Sequence, residues 1–340
     1  MRPLAVVILA AGQGTRMKSD RAKVLHELCG RPMIAYPVDM ALQLRPRKIV
    51  VVIGHQADQV CAAVARSFPK KHIEFALQET QQGTGHAVLQ ARRLLRGFDG
   101  DVLILYGDVP LLRPETIREF RRLHHRQGGK ISLISTEMED PTGYGRCLID
   151  DDGELTAVVE EKDATAEQRR ITEVNAGIYL VEAKLLWWAL GRLGTDNAQG
   201  EMYLTDIVAQ VRTKGEKVRA CCAPDPFEVL GVNSRIELAQ ATENIRWRLV
   251  RALMRDGVTC LDATTFYPDF AVRVGADTVI EPNVMMLGST RVGAGCCIGQ
   301  GVRLENMIVE DNAQIGPYCV LADGTISRGA IVERFTRRLA

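Results

Sequence analysis

An apolar run from Leu4 to Ala10 opens directly into Leu9-Ala10-Ala11-Gly12-Gln13-Gly14-Thr15-Arg16-Met17, with Lys23 a little further on. A strand that opens into a glycine-bearing loop leaves backbone N–H groups free, and without a Cβ to obstruct it a polyphosphate can approach them. Arg16 and Lys23 then supply positive charge, Arg16 as a planar fork and Lys23 as a compact ammonium. The third glycine of a dinucleotide fingerprint would fall on Met17, and neither glycine starts a G-x-x-x-x-G-K-[ST] string, so both common nucleotide loops are excluded. A tight strand-to-helix turn is the plainer reading of the same residues. Asp108 follows a second apolar strand ending at Tyr106, which projects its carboxylate at the C-terminal edge of a sheet, where open α/β folds bind ligands. A helix cap next to Pro110 is the alternative there.

Positioning these groups requires a scaffold. Up to about residue 225, short β-branched runs alternate with amphipathic segments, the pattern of a mostly parallel sheet flanked by helices. Strands are expected at Leu4 to Ala10, Ile49 to Ile53 and Val102 to Tyr106, and helices at Met33 to Leu44, Ala57 to Arg66, His86 to Leu95 and Glu115 to Arg126. Closer-spaced runs at 130–137, 145–149, 155–160 and 174–181 suggest an antiparallel or mixed insertion. Apolar positions at helical period over Ile236 to Met254 mark a linker helix. Beyond it Val274, Ile280, Met286, Val292, Ile298 and Leu304 recur every six residues, then after a slip of one come Val309, Ile315 and Leu321. Glycine follows several of them, which is the hexapeptide signature of a parallel β-helix of about three coils. The expected division is 1–228 for the α/β region, 229–257 for the linker and 258–340 for the β-helix.

Bulk properties narrow the possible partners. A formal net charge of +1 gives no basic footprint for nucleic acid or for an anionic membrane surface. Nine cysteines, an odd number without a C-x-x-C pair, indicate neither a zinc ribbon nor a disulfide framework, and point to a reducing cytosol. The run Leu4 to Ala11 is too short for a signal sequence and no run approaches the ~18 apolar residues of a membrane span. A cytoplasmic protein is expected.

The loop string closely resembles the signature of the sugar-1-phosphate nucleotidylyltransferases. Further strings follow in that family's order: 78–87 (Q-E-T-Q-Q-G-T-G-H-A), 106–110 (Y-G-D-V-P), 140–146 (D-P-T-G-Y-G-R), 159–164 (V-E-E-K-D-A), 173–178 (E-V-N-A-G-I), 198–201 (A-Q-G-E) and 231–233 (G-V-N). Together they resemble the uridylyltransferase half of the bacterial bifunctional N-acetylglucosamine-1-phosphate uridylyltransferase and glucosamine-1-phosphate acetyltransferase, from about residue 3 to 335. The resemblance implies a Rossmann-like nucleotidyltransferase domain followed by a short left-handed parallel β-helix. It implies UTP and N-acetylglucosamine 1-phosphate as substrates, Mg2+ as cofactor and a homotrimer formed through the β-helix. It makes Arg16 and Lys23 catalytic and Asp108 and Asn233 magnesium ligands. The backbone of Leu9, Ala10, Ala11 and Gly12 with Gln78, Gly83 and Thr84 would hold the nucleotide; Tyr106, Gly145, Glu160 and Asn175 would line the sugar site. His86 is read as a structural helix residue.

In-line attack by a sugar phosphate on the α-phosphorus of UTP uses a nucleophile already ionised at neutral pH, so charge neutralisation and alignment carry the chemistry rather than a general base. Three departures from the family pattern stand out. The last histidine is His125, so the β-helix has no imidazole base and acetyl transfer is expected to be absent. Ala22 replaces a proline before Lys23, which is expected to loosen that loop, and Ala176 replaces a threonine after Asn175, which makes sugar selectivity less secure than nucleotide selectivity. The rivals are a uridylyl- or thymidylyltransferase for another hexose 1-phosphate, and a catalytically silent nucleotide-sugar-binding protein.

Overall fold

A computed structural model describes residues 2–338. The chain divides into two compact units, residues 1–26 with 32–234, and residues 27–31 with 235–340.

In the first unit the strands in chain order are β1 (Leu4–Ala10), β4 (Lys48–Ile53), β5 (Glu74–Leu77), β6 (Asp101–Tyr106), β7 (Ile131–Glu137), β8 (Arg146–Ile149), β9 (Leu155–Val159), β10 (Glu173–Glu182) and β11 (Val218–Cys222), the numbers β2 (Glu27–Leu28) and β3 (Arg31–Pro32) belonging to a hairpin of the second unit. They form one nine-stranded sheet ordered β11-β7-β10-β6-β1-β4-β5, with the β8–β9 hairpin joined to β10. β1 is central and parallel to both neighbours, with Leu9 level with Val52 on one side and Tyr106 on the other. Every residue of β1 is buried. Its side chains alternate between two cores: Ala5, Val7 and Leu9 enter one, and Leu4, Val6, Ile8 and Ala10 the other. This explains why β1 reads as a continuous apolar run rather than an alternating one. The helices α1 (Ala35–Gln43), α2 (Ala57–Ser67), α3 (Thr84–Gln90) and α4 (Pro114–Arg126) separate these strands. β7 and β10 are antiparallel partners inside the main sheet, so only β8 and β9 form an appended hairpin. The helix expected to run to Leu95 ends at Gln90, and the chain continues in turns that include Ala91 N–H to Val88 O and Arg92 N–H to Leu89 O.

In the second unit the 21-residue helix α5 (Arg235–Arg255) leads into short parallel strands in sheets of five, five and four. This is a left-handed parallel β-helix. All nine periodic aliphatics named above point into its core, none more than 9% exposed. The coils exceed the three expected. Ile326 and Val332 continue the pattern inward, and the first and last strands place Cys260, Pro268 and Arg338 at the equivalent register positions, which are not aliphatic and gave no periodic signal. The slip lies after Leu304, where Asn306 takes up a left-handed φ of 51°, and it repeats after Leu321, where Asp323 has φ 49°. A stacked polar ladder marks this corner: Asn306 Nδ2 donates to Asp323 Oδ1 at 3.1 Å, and Ser289 N–H donates to Asn306 Oδ1 at 3.1 Å. The β2–β3 hairpin packs within this unit through Phe270 N–H to Cys29 O (2.9 Å) and Arg31 over the Phe270 ring (4.1 Å).

Candidate active site

A cleft of about 360 Å3 opens at the C-terminal ends of β1 and β6, lined by Leu9, Ala10, Ala11, Gly12, Lys23, Gln78, Gly83, Thr84, Tyr106, Asp108 and Asn233. Gln81, Glu201, Val24 and Ala87 complete the wall. A larger cavity of about 940 Å3, beside Phe75, Arg92, Phe98 and Trp187, contains none of these groups, so size does not pick out the chemistry here.

The loop after β1 is fixed by the shape of its glycines. Gly14 adopts φ 65°, and a Cβ there would lie 2.6 Å from the Cβ of Lys23, so glycine lets the two segments touch. Gly12 has open space where a Cβ would point, leaving its backbone accessible from the cleft. The Ala11 carbonyl accepts from Gln81 Nε2 (2.7 Å) and from His55 N–H (3.3 Å), which pins the end of the loop.

Lys23 reaches across the cleft floor. Its ammonium donates to Asp108 Oδ2 and to Asn233 Oδ1, the latter at 2.9 Å. Asp108 and Asn233 are aligned by backbone, since Val232 N–H donates to the Asp108 carbonyl (2.8 Å) and Asn233 Nδ2 donates to Gly231 O (3.1 Å). A carboxylate oxygen and a neutral amide oxygen converging on one cation are a hard, all-oxygen donor pair, which fits magnesium. The Ala22 N–H, the group a proline would lack, donates to Gln56 Oε1 at 2.8 Å, so the segment before Lys23 is tied down and not loosened.

A second cluster, Asp101, His124 and His125, sits at the opposite end of β6. Its nitrogen-rich donors differ from those of a magnesium site, and the Arg2 guanidinium already lies 3.6 Å from Asp101 Oδ1, with His125 Nε2 3.2 Å from Oδ2.

Gln78 is buried, and its Nε2 lies 3.2 Å from the Gly83 carbonyl and 3.0 Å from His86 Nδ1. His86 is enclosed between Gln78 and Gln90, a structural position. Gly83, at φ 103°, starts α3; a Cβ there would meet the Met202 carbonyl at 2.6 Å. Thr84 Oγ1 accepts from Leu204 N–H (2.9 Å), so the 201–204 segment is strapped along this wall.

The four residues of the second expected subsite are mutual neighbours. Gly145 O accepts from Asn175 N–H at 2.8 Å, and a Cβ on Gly145 would sit 3.5 Å from Glu160 Oε2. Gly177, φ 77°, lies in a β10 irregularity between Asn175 and Ile178, and a Cβ there would collide with the Tyr106 ring at 2.7 Å. Asn175 Oδ1 accepts from Gly177 N–H (2.9 Å). Arg146 is buried beneath the loop and donates to Tyr144 O and to Glu161 Oε2, the latter at 2.7 Å. Burial pushes the Glu160 carboxyl above its usual range, opposed by a hydrogen bond from Thr205 Oγ1 at 3.1 Å and reinforced by Asp206, Asp163 and Glu201. Burial likewise raises the Tyr106 phenol. Arg16 stands apart from both groups, exposed on the turn Thr15–Met17 and outside the cleft lining.

Residues 6–174 match the MobA-like NTP transferase domain family, and residues 271–306 match the bacterial transferase hexapeptide family of six repeats. The bifunctional protein GlmU of Anaeromyxobacter dehalogenans (strain 2CP-C) is 48% identical over 335 residues, covering 98% of this chain and 68% of that protein. The chain belongs to the GlmU family. GlmU of Geobacter metallireducens is 50% identical over 301 residues, 88% of this chain and 63% of its own length, and that of Corynebacterium diphtheriae is 42% identical over 341 residues, 95% and 70% respectively. As a GlmU family member the chain is a nucleotidyltransferase joined to a hexapeptide-repeat β-helix. Sequence reasoning left out Gln81 and Glu201 from the site of this family member. Both stand inside quoted strings, at 78–87 and 198–201, but only the tertiary fold brings them to the cleft.

Proposed function

We propose that the chain joins UTP to N-acetylglucosamine 1-phosphate, giving UDP-N-acetylglucosamine and pyrophosphate. The observation that carries this reading is the convergence of Lys23, Asp108 and Asn233 in a cleft also lined by the 9–12 loop. Gln78, Gly83 and Thr84 hold the uracil side, where the Gln78 Oε1 accepts from the pyrimidine N3–H while its Nε2 is engaged by the Gly83 carbonyl and His86. Tyr106, Gly145, Glu160 and Asn175 hold the sugar, Glu160 and Asn175 accepting or donating to its hydroxyl and acetamido groups. Asp108 and Asn233 hold Mg2+, which supplies charge neutralisation at the phosphates. Lys23 adds fixed positive charge where the pyrophosphate departs, Arg16 on the exposed turn outside the cleft is proposed to reach the phosphates only when they are bound, and because the attacking phosphate oxygen is already ionised no proton acceptor is needed. We assign the α/β domain to residues 1–228 and the connection to the β-helix at 258–340 to residues 229–257, whose Asn233 completes the site.

The other parts of the reading rest on the second unit and on the composition. No histidine follows His125, so these 340 residues are proposed to lack acetyltransferase activity. A homotrimer through the β-helix is proposed from the family. Among the described residues no helix is long and apolar enough to cross a membrane, and with a net charge of +1 we propose a cytoplasmic enzyme with no nucleic-acid or membrane partner. Another hexose 1-phosphate is the second reading, favoured by Ala176, which leaves only a buried methyl group beside Asn175. Pyrophosphate release from UTP and magnesium across a panel of sugar 1-phosphates, beside an acetyl-CoA assay with glucosamine 1-phosphate, tests all of this. Turnover confined to N-acetylglucosamine 1-phosphate is expected; preference for another sugar overturns the substrate, and no turnover overturns the reaction.

A further inference from the structure

Three points fix Lys23: its ammonium on Asp108 and Asn233, its Cβ against Gly14, and the backbone just before it, which is held by Gln56. The Gln56 side chain spans the approach to Lys23 like a staple. Its Oε1 accepts from Ala22 N–H at 2.8 Å and its Nε2 donates to Asp20 O at 2.5 Å. The residue is itself rigidly placed. It caps α2 in a left-handed conformation (φ 53°, ψ 42°), and its carbonyl accepts from Gln59 and Val60 N–H at 3.0 and 3.1 Å. Beyond the staple the chain closes a short turn, Leu25 N–H to Ala22 O (2.9 Å) and His26 N–H to Lys23 O (3.2 Å). A lysine has a long, rotatable stem, so the accuracy of its ammonium depends on how well its backbone origin is fixed.

We infer that Gln56 is a positioning residue for Lys23, acting on the reaction through the Ala22 amide and touching no substrate. The inference rests on the proposed role of Lys23 in phosphate transfer. Misplacing a reacting charge by about 1 Å costs up to ~100-fold, so Gln56→Ala is expected to lower kcat about 10-fold while changing the KM for UTP by less than about 3-fold. Ala22 offers an internal control. Its φ of −52° and ψ of 136° suit proline, which needs no partner for a missing N–H and stiffens the same bond. Ala22→Pro in the native background removes the donor of Gln56 and costs a little activity. In the Gln56→Ala background the same change removes an orphaned amide, and it is expected to restore kcat to within about 3-fold of wild type.

The experiment is the four-variant cycle on the full chain, reading kcat and KM per folded molecule together with hydrogen exchange at the Leu25 and His26 amides without substrate. Faster exchange in Gln56→Ala that Ala22→Pro reverses, with kcat following, is the expected result. Unchanged kcat in Gln56→Ala, or a loss that Ala22→Pro deepens instead of reversing, overturns the inference. So does unchanged amide exchange. If the wild-type chain transfers no uridylyl group while the exchange still responds as described, the substrate reading fails and the staple stands.

Discussion

The two units of this chain reach order by opposite routes. In the α/β unit, Lys23 bonds to groups 85 and 210 residues away. In the β-helix, side-chain bonds such as Cys296 N–H to Thr278 Oγ1 and Met307 N–H to Thr290 Oγ1 reach only 18 and 17 residues, one coil away. A nearest-neighbour stack spreads its stability as a sum of similar contacts, whereas a site assembled from remote segments depends on every segment being in place. Stability and chemistry should therefore be separable by substitution.

The largest effect belongs to the long-range site. Asp108→Asn removes the charged partner of Lys23 and one of the two oxygens proposed for magnesium, and uridylyl transfer should fall by about 1,000-fold while the melting temperature shifts by only a few degrees. Steady-state kinetics beside a thermal melt read this, and equal losses in both would break the separation. Next is the β-helix core. Leu304→Ala removes a fully buried side chain stacked between Met286 and Leu321, which should destabilise the β-helix by about 2–4 kcal/mol with kcat unchanged. Denaturant unfolding followed by separate probes for each unit would show the loss in one transition only.

A third prediction uses pH. Burial, with help from His125, Arg2 and Arg121, lowers the His124 imidazole to about 4, and its Nδ1 lies 2.9 Å from Ser132 Oγ. Because the folded value lies below the ~6.5 of an unfolded histidine, the unfolded chain binds the extra proton, and stability present above pH ~6.5 is lost as pH falls toward 4, by up to about 3 kcal/mol. His124→Gln should flatten the slope of unfolding free energy in that window. An unaltered slope would place the acid sensitivity elsewhere. The smallest effect is expected at the β-helix surface, where the Tyr318 and Phe335 rings stack with centroids 5.6 Å apart on neighbouring coils. Tyr318→Ser should cost about 1 kcal/mol, sharpening the comparison by showing that each coil adds a modest, local share.

The two units also differed in how much their sequences disclosed. The β-helix is legible because its period repeats and an inward aliphatic marks each face; what carries no such mark are the ends, where Cys260, Pro268 and the exposed Arg338 stand at the equivalent register positions without an aliphatic. In the α/β unit the loop after β1 and the strand before Asp108 were readable from apolar runs broken by glycine or acid. Which side chains meet was not readable from periodicity, because Lys23, Asp108 and Asn233 share no local pattern and were grouped only through family resemblance. Gln56 shows the same limit. It looks like an ordinary polar residue ahead of a helix, and its role appears only once its left-handed backbone aims the amide at Ala22. The β2–β3 hairpin, which packs with a segment more than two hundred residues later, left no local trace either.

On the magnesium role proposed for Asp108 and Asn233, the Lys23 ammonium resting on both oxygens bears on how the ion arrives. A free divalent ion arriving alone meets a seat whose charge is already balanced, so it must evict a covalently tethered competitor and gains little. A metal ion chelated by a triphosphate brings a new anionic resting place for that ammonium along with it. On that proposed role, the ion is expected to bind more readily together with the nucleotide than alone.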